Sequence, residues 1–175
     1  MEKPMITGCL IVLCILLLTG CVLQISSDGD VNLPQVSALT EAVEDIAASL
    51  EGEQIETDGF SMTAPKGWNQ MDIQGGVQLY KGSDVFQITV DGYNVSEEED
   101  KALLQGLVDR YDGTEITTVE MLGMTFYTSS FTASGVEQTF YSAVRDGEQI
   151  HIQLGGNNHS SNAELQAMLR SVQLK

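Results

Sequence analysis

Two spacings of apolar residues divide the chain after residue 54 into strands and helices. Alternation of apolar and polar positions predicts extended segments, because successive side chains of a strand point to opposite faces. These segments are 55–64, which is interrupted by Asp58-Gly59, and 77–80, 85–90, 116–121, 124–132, 136–144 and 149–154. Short connections, such as the four-residue loop at 81–84 and the turn at Gly123, join successive segments. Neighbouring strands are therefore expected to run antiparallel.

Spacings of three and four predict two helices beside these strands. Ser96 begins the first as a capping box with Glu99, and the helix dipole favours the acids at 97–100 in its first turn. Its predicted buried side consists of Leu103, Leu104, Leu107, Val108 and Tyr111. Ser161 and Glu164 have the capping-box spacing before a second stripe, formed by Leu165, Met168, Leu169 and Val172. Helices packed on a mainly antiparallel β-sheet make an α+β fold.

A further apolar stripe precedes the sheet. Residues 22–36 are rich in Ser, Asp, Gly and Asn, which is typical of a linker. Within 37–51, apolar residues recur at helical spacing: Leu39, Val43, Ile46 and Leu50. A helix this short is only marginally stable by itself in water. The stripe therefore either packs on its own domain, pairs with a partner chain, or frays within the linker. The predicted division is a signal peptide at 1–20, a linker with a short amphipathic helix at 21–53, and a domain at 54–175.

The N-terminus has the layout of an export signal. Lys3 precedes an apolar run at 9–18, about half of the roughly 20 residues that a membrane-spanning helix needs. The run closes with Leu18-Thr19-Gly20-Cys21, which resembles the lipobox of bacterial and archaeal lipoproteins. In that family the Cys sulfur receives a diacylglyceryl group and the chain is cleaved just before it. The resemblance implies that Cys21 is the lipidated first residue of the mature protein.

The alternative is an uncleaved transmembrane anchor, because no charged residue lies between Lys3 and Asp28. The dense apolar part has the length of a signal, which favours the lipoprotein. Two acyl chains hold a protein to a bilayer durably, whereas one does not. Both interpretations place residues 22–175 outside the cytoplasm, at the cell membrane. They differ in whether Met1 is retained.

Composition narrows the chemistry of the exported part. The 3 Cys are at positions 9, 14 and 21, so residues 22–175 carry no thiol, disulfide or Cys-ligated metal. The formal net charge of −17 repels phosphate backbones, which disfavours nucleic-acid binding. Anionic lipid headgroups repel it too, so the acyl chains have to supply attachment to the membrane. Solubility in a salty or crowded exterior explains this acidity; the alternative is a cationic partner or divalent ions.

The stretch from Phe60 to Trp68, FSMTAPKGW, resembles the opening of PsbP-like domains. A helix after the first strands, the turn at Gly123 and the ending at 171–174 are similar too. PsbP-like domains share an α/β/α sandwich with the Ran-release factor Mog. The resemblance covers about residues 54–175 and implies a non-catalytic accessory or binding module. It transfers no functional residue, because the matching positions fit folding roles.

No group of residues has the spacing of a catalytic or metal site. His151 alternates with Ile150 and Ile152 and so lies on the polar face of its strand, whereas His159 falls in a flexible polar loop. Two His without Cys or acids at ligand spacing make a weak zinc site. The Ser residues lack the base and orienting acid that a nucleophile needs. We therefore expect no catalytic residue, no cofactor and no metal ligand; Trp68 is expected to anchor the core.

Three functions remain for the exported domain. The first is a membrane-tethered, non-enzymatic module that binds another envelope protein through a sheet face or through the stripe at 39–50. The second is a protein that binds a small ligand or calcium, suggested by the acidic surface and by the loop at 91–94. The third is a hydrolase, which would need a pocket that holds His151 beside a carboxylate and a Ser.

Overall fold

The computed structural model describes residues 51–92 and 94–175. Its strands are β1 (Gly52–Glu56), β2 (Phe60–Pro65), β3 (Asn69–Ile73), β4 (Gly76–Lys81), β5 (Asp84–Gly92), β6 (Thr117–Met121), β7 (Met124–Ala133), β8 (Val136–Arg145), β9 (Glu148–Gly155) and β10 (Gln173–Leu174). Its helices are α1 (Glu97–Tyr111) and α2 (Ala163–Ser171), with a 3₁₀ turn at His159–Ser161. The predicted signal, Cys21, the linker and its helix lie outside the described residues.

The strands form two antiparallel sheets. The larger has the order β3-β4-β5-β9-β8-β7-β6, and the smaller has the order β1-β2-β10. Helix α1 carries the chain from β5 to the far edge at β6, and the chain then returns strand by strand until β9 pairs with β5. Every pairing is antiparallel, and a helix packs on each face of the larger sheet. The predicted α+β fold is confirmed.

The main core lies between the two sheets and α2. Its fully buried side chains include Phe60 and Met62 from β2, Phe86 and Ile88 from β5, Ile150 and Ile152 from β9, and Leu165 and Met168 from α2. Each such side chain stabilises the fold by about 1.5–3 kcal/mol relative to an exposed position. The alternation along β9, with Ile150, Ile152 and Leu154 all inward, explains why its polar residues face the other way.

Helix α1 packs on the opposite side of the larger sheet, here called the outer face, over β7 and β8. A second core lies beneath it, formed by Leu104, Phe131 and Phe140. The prediction that Leu103 belongs to the buried stripe is wrong, because Leu103 is 47% exposed while Leu104 is fully buried. At about 100° per residue, the side of the helix that holds Leu104 leaves Leu103 on the flank.

The two helices begin differently. Ser96 caps α1 as predicted: its side chain accepts from the N–H of Glu99, and the Glu99 carboxylate accepts from the N–H of Ser96. For α2 the predicted cap at Ser161 is wrong. Asn162 is the cap, and its Oδ1 accepts from the N–H groups of Glu164 and Leu165. The Ser161 hydroxyl instead donates to the carbonyl of Asn158 within the 3₁₀ turn.

Two strands were not predicted, and one loop is shorter than predicted. Strand β3 is an edge strand whose first four residues are exposed, so it lacks an apolar alternation; β10 has only two residues. Lys81 pairs with Asp84, so Gly82 and Ser83 alone form the β4–β5 turn instead of a four-residue loop. The positive φ of Gly82, 64°, suits that tight turn.

Candidate functional site

A buried carboxylate joins α1 to the sheet. Asp100, in the first turn of α1, is fully buried and accepts hydrogen bonds from three side chains. The donors are Ser142 Oγ at 2.6 Å, Gln149 Nε2 at 2.5 Å and His151 Nε2 at 2.9 Å. Ser142 lies on β8, directly opposite His151 on β9, so alternation brings the donors to the outer face. We call these four residues the carboxylate cluster.

The carboxylate of this cluster is ionised near neutral pH. Burial by itself raises the pKa of Asp100, but the hydrogen bonds from His151, Ser142 and Gln149, together with the attraction of His151, outweigh it. The pKa of Asp100 is therefore below its ordinary value. An ionised carboxylate only accepts, so the network assigns a hydrogen to Nε2 of His151. In the neutral ring Nδ1 is then an acceptor, and the His151 side chain is 17% exposed.

The cluster contains the residue types of a catalytic triad in a different order. In a triad the His lies between the acid and the Ser and takes the Ser proton. Here Ser142 and His151 both donate to Asp100, so His151 does not lie between the acid and the Ser and is not placed to take the Ser142 proton. The three donors converge on one acceptor, and that geometry holds the start of α1 against β8 and β9.

The first turn of α1 makes a second polar attachment, to β7. The hydroxyl of Tyr127 donates to Oε1 of Glu97 at 2.6 Å, and Lys101 Nζ lies 4.9 Å from the centre of the Tyr127 ring. The hydrogen bond to Glu97 is the largest cause of the raised pKa of Tyr127. The amino-terminal half of α1 is thus held by polar contacts and the carboxyl-terminal half by the second core.

A second polar network lies beside an open cleft of about 570 Å³. His159 is buried, with Nδ1 3.2 Å from the carbonyl of Gly156 and Nε2 2.7 Å from Oγ1 of Thr139, which lies 2.8 Å from Oγ of Ser130. Because a carbonyl only accepts, Nδ1 carries the hydrogen in the neutral ring and Nε2 accepts from Thr139. Thr139 then accepts from Ser130. The series of hydrogen bonds therefore runs in one direction, from Ser130 through Thr139 and His159 to the carbonyl of Gly156.

The lining of this cleft is polar and partly aromatic. It consists of Tyr111, Asp112, Gly113, Thr114, Ser130, Phe131, Thr132, Glu137, Gln138, Thr139, His159 and Ser160. Tyr111 stacks on Phe131 with ring centres 5.3 Å apart. Although Thr139 and His159 pair a hydroxyl with a base, the N–H of Gly156 donates to Glu137 and that of His159 donates to Gly156. Neither N–H is therefore free to stabilise an oxyanion in the cleft.

The two histidines, the tryptophan and the proposed calcium loop lie in different parts of the fold. His151 lies on the polar side of its strand, as predicted. The assignment of His159 to a flexible polar loop is wrong, because it begins the 3₁₀ turn and is 6% exposed. Trp68 packs partly buried against the main core, and its Nε1 donates to Glu164 at 2.9 Å, consistent with an anchor. Asp91, from the loop proposed to bind calcium, lies within β5.

The burial of Asp100 was not predicted, although the sequence contains a signal for it. Asp100 precedes Leu104, Leu107 and Tyr111 by four, seven and eleven positions, which is the spacing of one helical face. An acid in line with an apolar stripe is expected to need buried partners. Those partners could not be located from spacing, because they are 42 to 51 residues further along the chain.

Two other features of the described residues bear on the predicted functions. No three His, Cys, Asp or Glu side chains among residues 51–92 and 94–175 are grouped so that they could hold a metal ion. Within the same ranges, neither helix has the length and apolar character needed to cross a bilayer.

No protein-family model and no curated protein sequence matches this chain, but solved structures do. A crystal structure from Bacteroides thetaiotaomicron VPI-5482 is similar over 71% of this chain with 16% identity and a TM-score of 0.51, and this chain spans only 49% of that protein. The solution structure of cyanobacterial PsbP (CyanoP) from Synechocystis sp. PCC 6803 is similar over 70% of this chain and 92% of its own, with 10% identity and a TM-score of 0.51.

LpqN of Mycobacterium tuberculosis, described as involved in cell envelope biogenesis, covers 78% of this chain and 96% of its own, with 10% identity and a TM-score of 0.40. Identities this low bear on the fold alone. The similarity to CyanoP agrees with the predicted PsbP-like fold and with the α+β architecture. The chain therefore has a PsbP-like fold.

Proposed function

We propose that this chain is a lipoprotein held at the outside of the cell membrane by lipid on Cys21, and that its folded domain binds another envelope protein without catalysing a reaction. The anchor is supported by the lipobox-like ending Leu18-Thr19-Gly20-Cys21, and the non-catalytic part is supported by the carboxylate cluster. Ser142 and His151 both donate to Asp100, so a Ser, a His and an Asp within reach of one another are arranged to hold a helix.

The other hydroxyl and imidazole pair supports the same proposal. Thr139 and His159 lie beside the cleft, but the neighbouring backbone N–H groups of Gly156 and His159 already donate to carbonyls. Neither of these two clusters, both within the described residues 51–92 and 94–175, is thus arranged as an activated nucleophile, which supports a tethered module that holds a partner near the membrane. The net charge of −17 favours a partner with basic groups on its contact surface.

The anchor is tested by substitution of single Cys residues in the full chain. Cells are fed an alkyne analogue of palmitate, and labelling and sedimentation with membranes are followed for wild type, Cys21→Ser and Cys14→Ser. We expect label and membrane association in wild type and in the matched control Cys14→Ser, and loss of the label in Cys21→Ser. An unmodified Met1 in the mass spectrum of the mature protein would contradict lipidation and support the transmembrane alternative.

Partner binding is tested in intact cells with a short, reversible crosslinker, followed by purification of the full chain from detergent. The expected result is one crosslinked species of defined mass that contains a second, different protein. The unlipidated Cys21→Ser chain is the control, because a partner in the membrane should be captured less by a chain released from it. A wild-type chain that stays monomeric under these conditions would contradict the proposal.

The cleft supports a second candidate function, the binding of a small ligand. Its carboxylates, Asp112 and Glu137, lie among hydroxyl groups and beside the buried His159. Thermal melts with calcium chloride, and separately with small amines, test this, since ligand at 100 times its Kd stabilises the folded state by about 2.7 kcal/mol. An upward shift of the melting temperature with amines that is lost in Thr132→Lys would assign binding to the cleft; unchanged melts would remove this candidate.

A further inference from the structure

Large apolar side chains are exposed at three places in the described part of the chain: Met71 at 47%, Tyr80 at 40% and Leu103 at 47%. Single exposed apolar residues are common on protein surfaces and need no explanation. These three, however, border one region of the outer face. The strand registers place Tyr80 and Met71 there, and the helical geometry of α1 places Leu103 there.

Tyr80 is placed on the outer face by a row of paired residues across the sheet. It pairs with Val85, Val85 with Gly155, Gly155 with Gln138, and Gln138 with Phe131, which is buried in the core beneath α1. Directly paired residues of neighbouring strands share a face. Tyr80 therefore points to the side of the sheet that carries α1.

Met71 is placed by the next row, which consists largely of glutamines. Met71 pairs with Gln78, Gln78 with Gln87, and Gln87 with Gln153. These three glutamines are half-buried, and Nε2 of Gln153 donates to Oε1 of Gln138 at 2.7 Å. Met71 and the glutamine row thus lie beside Tyr80, on the outer side of β3, β4, β5 and β9.

Leu103 borders the same region from above. Lys101 lies over Tyr127, which is on β7, so that flank of α1 faces away from β9. Residues two apart in a helix are about 200° apart around its axis, so Leu103 lies on the opposite flank, towards β9 and β5. We call the region bounded by Met71, Tyr80 and Leu103, with Gln78, Gln87 and Gln153 between them, the glutamine face.

The glutamine face lacks charge where the rest of the surface has much of it. The outward positions of β4, β5 and β9 from Tyr80 to His151 carry no Asp, Glu, Lys or Arg, although 19% of the chain is charged. Gly76 and Gly155, which have no side chains, keep this surface low. Centres of protein interfaces are depleted of charged residues and enriched in Tyr and Met, so the composition matches a docking surface better than a solvated face.

The rim of the face indicates which partner it fits. Asp91 lies two residues after Thr89 on β5 and so on the same side, and Glu99 precedes Leu103 by four residues and so shares its flank of α1. Both acids therefore lie at the rim near the start of α1, whereas Arg110, seven residues after Leu103 on the same flank, lies near the end of the helix. A second copy of this chain would bring two chains of net charge −17 together, which disfavours self-association.

We infer that the glutamine face is the docking surface for the partner, and that the partner's contact surface is uncharged at its centre and basic where it meets Asp91 and Glu99. This inference rests on the proposed function, since it names the surface through which that binding occurs.

The test places a photo-crosslinking amino acid at one position of the full, lipidated chain in intact cells. Positions 71 and 80 sample the glutamine face; Thr132, in the cleft, and Gln173, on the smaller sheet, are exposed controls. We expect a crosslink to a different protein from positions 71 and 80 and not from the controls. Recovery of a partner by the chemical crosslinker, with photo-crosslinks only from Thr132 or Gln173, would overturn the inference while leaving the proposed function standing.

A matched pair of substitutions tests the uncharged centre. Gln87→Glu keeps the side-chain shape and places a charge within the face, whereas Gln173→Glu makes the same change elsewhere. The crosslink yield from position 80 should fall about tenfold or more with Gln87→Glu, because an unpaired charge would be buried, and should be unchanged with Gln173→Glu. Equal melting temperatures of the two variants exclude misfolding as the cause, and equal yields would overturn the inference.

The rim is tested by Asp91→Asn combined with Glu99→Gln, which preserves the capping box of α1. The crosslink yield from position 80 should fall, because two charges that attract basic groups of the partner are removed. The remaining yield should depend less on salt, since salt screens such exposed charge pairs. Crosslinks to lipid or to a second copy of this chain from positions 71 and 80 would assign the face to a different occupant and overturn the inference. Failure to recover any protein, by either crosslinker, would instead contradict the proposed function itself.

Discussion

His151 and Asp100, 51 positions apart in the chain, are joined by a hydrogen bond of 2.9 Å between Nε2 and Oδ1. Asp100 lies on the helix that carries the chain across the sheet, and His151 lies on the last long strand, which returns to pair with β5. The contact therefore links the beginning and the end of the crossover. Because Ser142 and Gln149 donate to the same carboxylate, a single side chain determines whether three buried or half-buried donors have a partner.

The first prediction concerns Asp100→Asn. The amide can accept at only one of its two atoms, so at least one donor among Ser142, Gln149 and His151 loses its acceptor. We expect the free energy of unfolding to fall by about 2–4 kcal/mol, the range for leaving buried polar or charged groups unpaired. Urea denaturation followed by circular dichroism measures it.

Glu98→Gln is the control for this change. Glu98 lies in the same turn of α1 but is exposed, so only its interaction with the helix dipole is lost, about 0.3–1 kcal/mol. Equal losses in the two variants would show that the buried hydrogen bonds of Asp100 contribute nothing beyond its charge at the helix start.

The second prediction is that the free energy of unfolding depends on pH through the titration of Asp100. Its pKa is lower in the folded protein than in the unfolded chain, because hydrogen bonds and His151 outweigh burial. On acidification the unfolded chain takes up the proton first, so protons favour unfolding. The stabilisation is thus fully present above the ordinary aspartate pKa of about 3.9 and is lost as pH falls below it, through the lowered folded value.

The measurement is the difference in unfolding free energy between wild type and Asp100→Asn as the pH is lowered from neutral into the acid range. The difference should shrink as the pH falls below the ordinary aspartate pKa of about 3.9. Subtraction removes the contributions of Glu99 and Glu164, whose pKa values are also lowered and which both chains contain. A difference that stays constant throughout would mean that Asp100 titrates alike in the folded and unfolded chains.

Strands and helices could be predicted from the spacing of apolar residues, because burial on one side imposes a period. The alternation of Ile150, Ile152 and Leu154 is such a case, and all three lie in the main core. The pairing of β9 with β5 could not be predicted, since alternation shows which side of a strand is buried and not which strand lies beside it. Phe140 shows the same limit, because it faces α1 and not the main core.

The candidate site was harder to predict than the fold. Acids at the start of a helix are explained by the dipole alone, so nothing required Asp100 to differ from its exposed neighbour Glu98. Its burial depends on donors that the sheet brings from β8 and β9. His159 was misplaced for a related reason: the 3₁₀ turn that it begins brings it to Thr139 on β8 and to the carbonyl of Gly156, and spacing does not reveal that turn.

The third prediction compares neighbouring leucines of α1. Leu104 is fully buried in the second core, so Leu104→Ala should lower the free energy of unfolding by about 2–5 kcal/mol, through lost burial and the cavity that remains. Leu103→Ala should change it by about 0.5 kcal/mol or less, since Leu103 lies on the surface and Ala is the better helix former. Denaturant unfolding of both variants decides, and a larger loss at Leu103 would mean that α1 is rotated about its axis.

The fourth prediction concerns the glycine whose carbonyl accepts from His159. Gly156 has φ of 131°, and a Cβ there would lie 2.1 Å from Oδ1 of Asp84 and 3.0 Å from its Cα. Gly156→Ala should therefore lower the free energy of unfolding by about 3 kcal/mol or more, from backbone strain and steric overlap together. Gly135→Ala is the matched control, because Gly135 has φ of 78° but no atom within 4 Å of its Cβ position, so only the backbone strain applies. Both changes are measured by thermal melting at one pH. Losses of similar size would show that Asp84 moves aside at little cost, and that Gly156 is packed less tightly against Asp84 than these distances indicate.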